Sequence, residues 1–354
     1  MFVREPLTIE VSTDLQALDA ALEEAPAGAG VYLIAPGEGK PHLGRTSMLR
    51  RRLKRLLRER SSSSRLLNLR HVVRRMDLWT TGSWLESSLM FYELARQHYG
   101  DDYLDVIKLR YPSYVKLVLS NAFPRTQVTT KIGGGSSRYY GPFRSRALAE
   151  EFEHQALDLF QLRRCQEDLQ PNASHPGCIY GEMNMCLRPC QEVVSVTEYG
   201  SEAHRFEEFL SSNGRHLLHA AQSARDQLSA ELDFEGAARE HKRAERIEQA
   251  LKARDDLACD IEHLHGVAVT PSATADTLEL WLMVSGVWLP AFDLDVGMHQ
   301  GDEPVSLDVR LRAFLDAAGR HSGTSMRDRQ DHIALLVRWF FSSWRDGEWI
   351  SMPD

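Results

Sequence analysis

Apolar positions recur along this chain with two periods, and the alternation between them sets out its elements. Leu7 to Val11 reads as a short strand, and Leu15, Leu18 and Leu22 at spacings of three and four read as one face of a helix, with Ser12, Thr13 and Asp14 as available caps. Pro26, Gly28 and Gly30 end that helix. The run Val31 to Ala35 then predicts a buried strand, and the turn Pro36-Gly37-Glu38-Gly39 returns it through His42 and Leu43 as a hairpin. After Thr46 or Ser47, Leu49, Leu53, Leu56 and Leu57 define a helix whose outward face carries Arg50, Arg51, Lys54, Arg55 and Arg58. Ser61 to Ser64 reads as a low-complexity joint, and Trp84 to Tyr99 as a helix ended by Gly100.

From Tyr103 to Gln127 the pattern suggests strands broken by Pro112 and Pro124, and Gly133 to Ser137 reads as a loop. Leu217, Ala221, Ala224 and Leu228, then Ala237, Ala244, Ile247 and Leu251, form two helical stripes around Asp233-Phe234-Glu235-Gly236, the pattern of an antiparallel helix pair. Leu278 to Met283, the turn Ser285-Gly286 and Val287 to Leu294 predict a β-hairpin. Two amphipathic helices follow, one from near Ser306 and one carrying Ile333, Leu336, Val337, Phe340 and Trp344.

The chain has 354 residues, enough for two or three domains. Charged residues at 26% and apolar residues at 43% exclude a disordered or fibrous class. The first residues lack the apolar stretch of a signal peptide, and no run approaches the ~20 apolar residues of a membrane span, so the expected location is cytoplasmic, with no membrane partner. Net charge is −8, yet Gly44 to Arg75 holds twelve Arg or Lys residues and one acid, Glu59. That asymmetry points to a polyanion, because clustered cations gain affinity for phosphate by releasing counterions.

Cys165, Cys178, Cys186 and Cys190 are separated by twelve, seven and three positions, within a segment that also carries Pro171, Pro176, Gly177, Gly181 and Pro189. Such a segment has little means of forming a core unless a metal staples it, and four thiolates suit either tetrahedral zinc or an iron–sulfur cluster. Cys259 stands apart and is expected to be a packed thiol. A second constellation joins Tyr32 and His42 on the predicted hairpin to Arg45 and Arg52 beyond it. Phosphodiester hydrolysis needs a proton acceptor, a cation for phosphoryl charge and a carboxylate-held divalent metal. The first two requirements could be met by Tyr32, His42, Arg45 and Arg52, expected on one surface; Glu86 and Glu93 are the carboxylates at hand, with Mg²⁺ or Mn²⁺ as the metal.

In order along the chain, these pieces resemble the N-terminal half of the UvrC family. Gly30-Val31-Tyr32 and His42-Leu43-Gly44 are similar to the two motifs of a GIY-YIG nuclease, and Arg45 to Arg52 to the basic turn and helix that follow. Downstream, Arg138-Tyr139-Tyr140-Gly141-Pro142-Phe143, the lead-in Leu159 to Cys165 and the ending Cys186-Leu187-Arg188-Pro189-Cys190 resemble the family's central region. Leu232 to Arg239 resembles the hairpin through which UvrC meets UvrB. The likeness runs over about residues 25–260 and is vaguer beyond Gly266.

The resemblance implies an α+β chain with the following parts: an N-terminal extension (1–27), a small GIY-YIG-like sheet-and-helix domain (28–110), a connecting strand and helix region (111–160) and a cysteine-rich metal-binding segment (161–200). A helical region with the hairpin (201–258) and a small C-terminal α/β region lacking a complete RNase H-like nuclease (259–354) complete it. It further implies nucleotide excision repair, at most one incision of double-stranded DNA, a four-iron four-sulfur cluster on the four cysteines and a UvrB-like partner at residues 217–251. The departures fall at the chemistry: His42 stands in place of a tyrosine, Arg45 of a lysine, Phe91 of the metal-binding glutamate, Leu104 of an asparagine and His241-Lys242 of an Arg-Asp pair. A catalytically silent DNA-binding or UvrB-binding module that keeps the cluster and hairpin is therefore the second expectation.

Overall fold

The computed structural model describes residues 2–11, 15–59, 69–296 and 325–352. The caps at Ser12 to Asp14, the joint at Ser61 to Ser64 and the helix near Ser306 lie outside the described residues. In chain order the first elements are β1 (Leu7–Glu10), α1 (Leu15–Glu24), β2 (Gly30–Pro36), β3 (His42–Thr46), α2 (Leu49–Leu56), β4 (Val73–Thr80), α3 (Trp84–Tyr99) and α4 (Tyr103–Ile107). Then come β5 (Ser113–Val118), β6 (Arg125–Thr129), β7 (Arg138–Phe143), α5 (Arg146–Leu157), α6 (Ile179–Glu182), α7 (Val196–Ser211), α8 (Arg215–Ala230) and α9 (Phe234–Lys252). The last are β8 (Cys259–Asp260), β9 (Gly266–Pro271), β10 (Thr277–Val284), β11 (Val287–Trp288), β12 (Phe292–Asp295), α10 (Met326–Phe340) and β13 (Glu348–Ser351). All described strand pairings are antiparallel, which makes the chain α+β.

The described residues fall into two compact units. The first draws on Met1–Arg110, His265–Gly323 and Arg338–Asp354, and the second on Tyr111–Leu264 and Thr324–Val337. In the first, one sheet has the order β1-β4-β2-β3, and another has β11-β10-β9-β13 with β12 also pairing β10. Val31, Tyr32, Leu33 and Ile34 of β2 are all buried, because both faces of this strand are covered. Tyr32 and Ile34 pack with Leu18 and Leu22 of α1 and with Leu49 and Leu53 of α2. Val31 and Leu33 point to the opposite face, where Arg45, paired with Val31, reaches Ser88 of α3. Ser83 caps α3 by accepting the Glu86 N–H at 3.0 Å.

Three parts differ from the expectations of sequence. β4, which separates β1 from β2, was not anticipated. Tyr103–Ile107 is helical rather than extended, closed by Lys108 in the left-handed region at φ 49°. Trp344 lies beyond the end of α10, and the chain then returns as β13 against β9.

The second unit packs a sheet of order β6-β5-β7-β8 against helices. Tyr140 stacks on Phe152 at 5.0 Å and 10°, and Phe160, Tyr199, Phe206, Phe209, Ala221, Ala244 and Ile247 continue the same core, so the helix pair α8–α9 is joined to it by the stripes its sequence shows. Asp233 caps α9 by accepting the Gly236 N–H at 2.9 Å, leaving Leu232 and Phe234 at the hairpin tip 72% and 67% exposed.

The β2–α2 packing leaves no room at Gly30, where a Cβ would fall on the Trp79 carbonyl oxygen and 2.6 Å from Leu49 Cδ1. Gly30→Ala is expected to destabilise the protein by about 1–3 kcal/mol through overpacking, measured by urea denaturation, whereas Gly28→Ala, with nothing within 4 Å, should be near neutral.

Candidate functional site

The β2–β3 hairpin brings three of the expected residues together. Register pairs Ile34 with His42 and Tyr32 with Gly44, so Tyr32 and His42 share a face, with their rings 6.0 Å apart. Arg52, one turn into α2, donates from Nε to the Tyr32 hydroxyl at 3.1 Å. Gly44 permits this arrangement, because a side chain there would occupy the Tyr32 phenol ring. Burial, and secondarily the Arg52 charge, hold the His42 pKa below the ordinary imidazole value. Its Nε2 is buried without a hydrogen-bond partner. A neutral imidazole beside a phenol and a guanidinium can accept a proton or meet a phosphate oxygen.

Arg45 does not join them. It is three residues from His42, and an odd offset on a strand sends side chains to opposite faces. Its guanidinium hydrogen-bonds the Ser88 hydroxyl and lies over Trp84 at 5.1 Å and Phe91 at 5.8 Å. The expected single surface is thus two faces of one sheet.

Glu86 and Glu93 also point elsewhere. Glu93 accepts the Phe2 N–H. Glu86 is buried: one oxygen accepts the Gly82 N–H at 2.7 Å, and the other lies 3.6 Å from Arg4. Arg4 also pairs with Glu279, buried on β10, and lies 3.6 Å from Asp293. Burial first, and then the Glu279 charge, push Glu86 up to about 7. Among the described residues no carboxylate pairs with Arg52 or His42.

The basic helix is partly committed to its own domain. Arg50 donates to the Ala25 carbonyl at 2.7 Å, and Lys54 pairs with Glu23 at 2.6 Å. Farther along, Arg70 is buried against Asp19, with two contacts of 2.8 Å. Arg51, Arg55 and Arg58 are exposed and have no ion-pair partner among the described residues, so the outer face of α2 remains strongly positive.

In the second unit, Cys165, Cys178, Cys186 and Cys190 come into one neighbourhood. Cys186 and Cys190 are buried, Cys165 is half-buried and Cys178 is exposed ahead of α6. Burial pushes the Cys186 thiol up to about 11, and the charges of Cys165, Cys178 and Cys190 raise it further against the Arg188 N–H. Cys259 acts on Tyr140 instead. As placed, no group of three or more His, Cys, Asp or Glu side chains among the described residues is close enough to hold a metal ion.

What sequence reasoning missed is Arg163. It is 1% exposed, and its guanidinium donates to the carbonyls of Phe123 at 2.9 Å and Glu167 at 2.8 Å and to Cys165 Sγ at 3.4 Å. No described carboxylate neutralises it. A buried cation next to four thiols is complementary to an anionic thiolate centre, and thiols are the donor type of four-iron clusters and tetrahedral zinc, although as placed no three of the described groups close on one ion. Such a group would supply a compact multi-thiolate staple for a segment with little core of its own, and Arg163 would hold Cys165 and balance charge.

The family profile described as UvrC/Cho excinuclease, middle domain, matches residues 113–209, from β5 into α7. The UvrABC system protein C of Lachnospira eligens is 21% identical over 290 residues, 80% of this chain and 47% of that protein. Those of Nitratidesulfovibrio vulgaris and Alcanivorax borkumensis are 28% and 27% identical over 236 and 232 residues, each 65% of this chain and 34% and 36% of those proteins. The chain is thus similar to these proteins over 65–80% of its own length and spans less than half of theirs. No solved structure matches it. Among the described residues no helix is long and apolar enough to cross a membrane.

The raised Glu86 gives a pH signature. The folded state holds this proton more tightly than the unfolded chain, whose carboxyl titrates near 4.5, so the associated stability is full below about pH 4.5 and is lost as pH rises through about 7. Relative to wild type, Glu86→Gln is expected to gain roughly 2–3 kcal/mol in going from pH 4.5 to pH 8. Urea denaturation of both proteins at the two pH values measures it.

Proposed function

We propose that this chain is a UvrC-type module of nucleotide excision repair that binds double-stranded DNA while its nuclease-like domain is silent or nearly so. The observation that carries this reading is the disposition of carboxylates: Glu86 and Glu93 are engaged by Gly82, Arg4 and Phe2, and Phe91 faces Arg45. A hydrolytic Mg²⁺ or Mn²⁺ needs an anionic oxygen ligand to compete with water, which neither the phenol–imidazole–guanidinium group nor Phe91 supplies. Duplex binding is assigned to the outer face of α2 through Arg51, Arg55 and Arg58, with Arg50 and Lys54 at its margin; such contacts go to phosphate and carry no sequence preference.

The four cysteines hold a four-iron four-sulfur cluster in this reading, supported by the buried Arg163 beside Cys165 and by the family match across the segment. The α8–α9 hairpin serves a UvrB-like protein partner: Leu232 and Phe234 stand exposed at its tip, an apolar pair of the kind that anchors interfaces. A second reading, an endonuclease making a single incision, is favoured by the convergence of Tyr32, His42 and Arg52.

The two readings separate in a nicking assay on damaged duplex DNA with Mg²⁺ or Mn²⁺. The silent reading predicts binding without cutting, or cutting orders of magnitude slower than the 1–10³ s⁻¹ typical of enzymes. Robust metal-dependent nicking abolished by His42→Ala would overturn it.

A further inference from the structure

On the α3 side of the first sheet, opposite Tyr32, lies a second surface, distinct from the Tyr32–His42–Arg52 face. Trp84, Ser88 and Phe91 follow one another at i, i+4 and i+7 and so share a helix face. Arg45 is drawn onto this face over the two rings, with the Ser88 hydroxyl as its polar contact. From the C-terminal part of the same unit, Trp344 packs against Trp84 at 5.0 Å with the rings tilted by 47°. Asp346 fixes the arrangement by accepting the Trp84 N–H at 2.5 Å and the Trp339 Nε1–H at 3.1 Å.

Arg338 is exposed near the end of α10, beside Trp339, whose indole shares Asp346 with the Trp84 N–H under the Arg45 guanidinium. Burial first, and then Arg338, bring the Arg45 pKa down to about 10. Neither arginine has a carboxylate partner among the described residues. Two guanidiniums in one unit with no carboxylate partner among the described residues favour an anion beside them. Beside it Trp344 is 38% exposed, and Arg345, paired with Glu348 at 3.6 Å, lies over Phe340 at 4.9 Å, so flat aromatic surface adjoins the two arginines.

An anion alone would not need the indoles, and an apolar peptide would not need two unpaired guanidiniums. The chemistry that uses both is an unstacked base carried on a phosphate backbone. Bases inside a duplex keep their faces stacked on one another and cannot engage a ring in this way. Resting on the reading of this chain as a DNA-binding repair module, we propose that Trp84, Trp344, Arg45 and Arg338 form a site for unpaired nucleotides of single-stranded DNA. The base lies against Trp344, and the phosphate bridges Arg45 and Arg338. The surface is distinct from the outer face of α2 assigned to duplex DNA, so the two DNA forms contact separate residues.

The test is fluorescence anisotropy of the full chain with a labelled oligo-dT and, separately, a labelled duplex of equal length. Trp344→Leu is expected to weaken oligo-dT binding by about tenfold, the loss of one stacked base. Arg338→Gln should weaken it as well and lower the salt slope by about 0.7, one single-strand phosphate contact. Duplex affinity should be unchanged in both variants, and thermal melting checks that they fold. Unchanged oligo-dT affinity in the two variants, equal losses for both DNA forms, or wild-type protein that binds duplex but not oligo-dT would overturn the site. Wild-type protein that binds neither form would instead bring down the DNA-binding reading on which the site rests.

Discussion

A guanidinium with no carboxylate partner among the described residues, buried in the second unit, is the constraint around which that unit is organised. Arg163 reaches the Phe123 and Glu167 carbonyls and the Cys165 sulfur, while its own N–H is accepted by the Tyr199 hydroxyl, which in turn donates to the Pro124 carbonyl. One residue thereby ties the turn before β6, the cysteine segment and α7 together. Neutral carbonyls solvate such a cation only in part, and an uncompensated buried ion costs several kcal/mol. Under the proposed cluster, the four thiols, once deprotonated and bound to metal, would supply the missing negative charge. The aromatic core of Phe160, Phe206 and Phe209 then has a fixed edge against which to pack.

In the first unit the corresponding constraint is the pairing of Arg4 with Glu86 and Glu279. An N-terminal arginine draws together a helix carboxylate and a strand carboxylate, so these acidic side chains of the first unit serve internal structure. On the other side of β2, the phenol, imidazole and guanidinium of Tyr32, His42 and Arg52 are close together with no acid among the described residues beside them. The outer face of α2 remains strongly positive.

Much of this was legible in local pattern. The β2–β3 hairpin, α3 with its terminal Gly100, the α8–α9 pair and the β10 hairpin follow from periodicity and turn residues, because each is stabilised mainly by neighbours close in sequence. β4 escaped notice because Arg74 and Arg75 belong by composition to the basic run, while its apolar residues Val73, Met76 and Leu78 keep no strict alternation. Tyr103–Ile107 looked extended because Tyr, Val and Ile favour strands, and tertiary context overrode that preference. The separation of Arg45 from His42 was available in principle from the period of two along a strand. The burial of Arg163 was not, since its environment is built by Phe123 and Tyr199, both more than thirty residues away. Likewise, Arg45, Trp84, Arg338 and Trp344 meet only in the folded unit.

The proposed cluster requires the cysteine segment to be an anionic metal–thiolate centre with Arg163 as its buried counter-charge. Metal analysis and electron paramagnetic resonance of the full chain, purified without oxygen, test it directly, with Arg163→Lys and Arg163→Met alongside. The predicted result is about four iron atoms per chain in wild type. They should be largely retained in Arg163→Lys, which keeps the charge, and lost in Arg163→Met, which removes it. Wild-type protein that binds no metal at these thiols, or an Arg163→Met variant that holds its iron as firmly as wild type, would contradict the account.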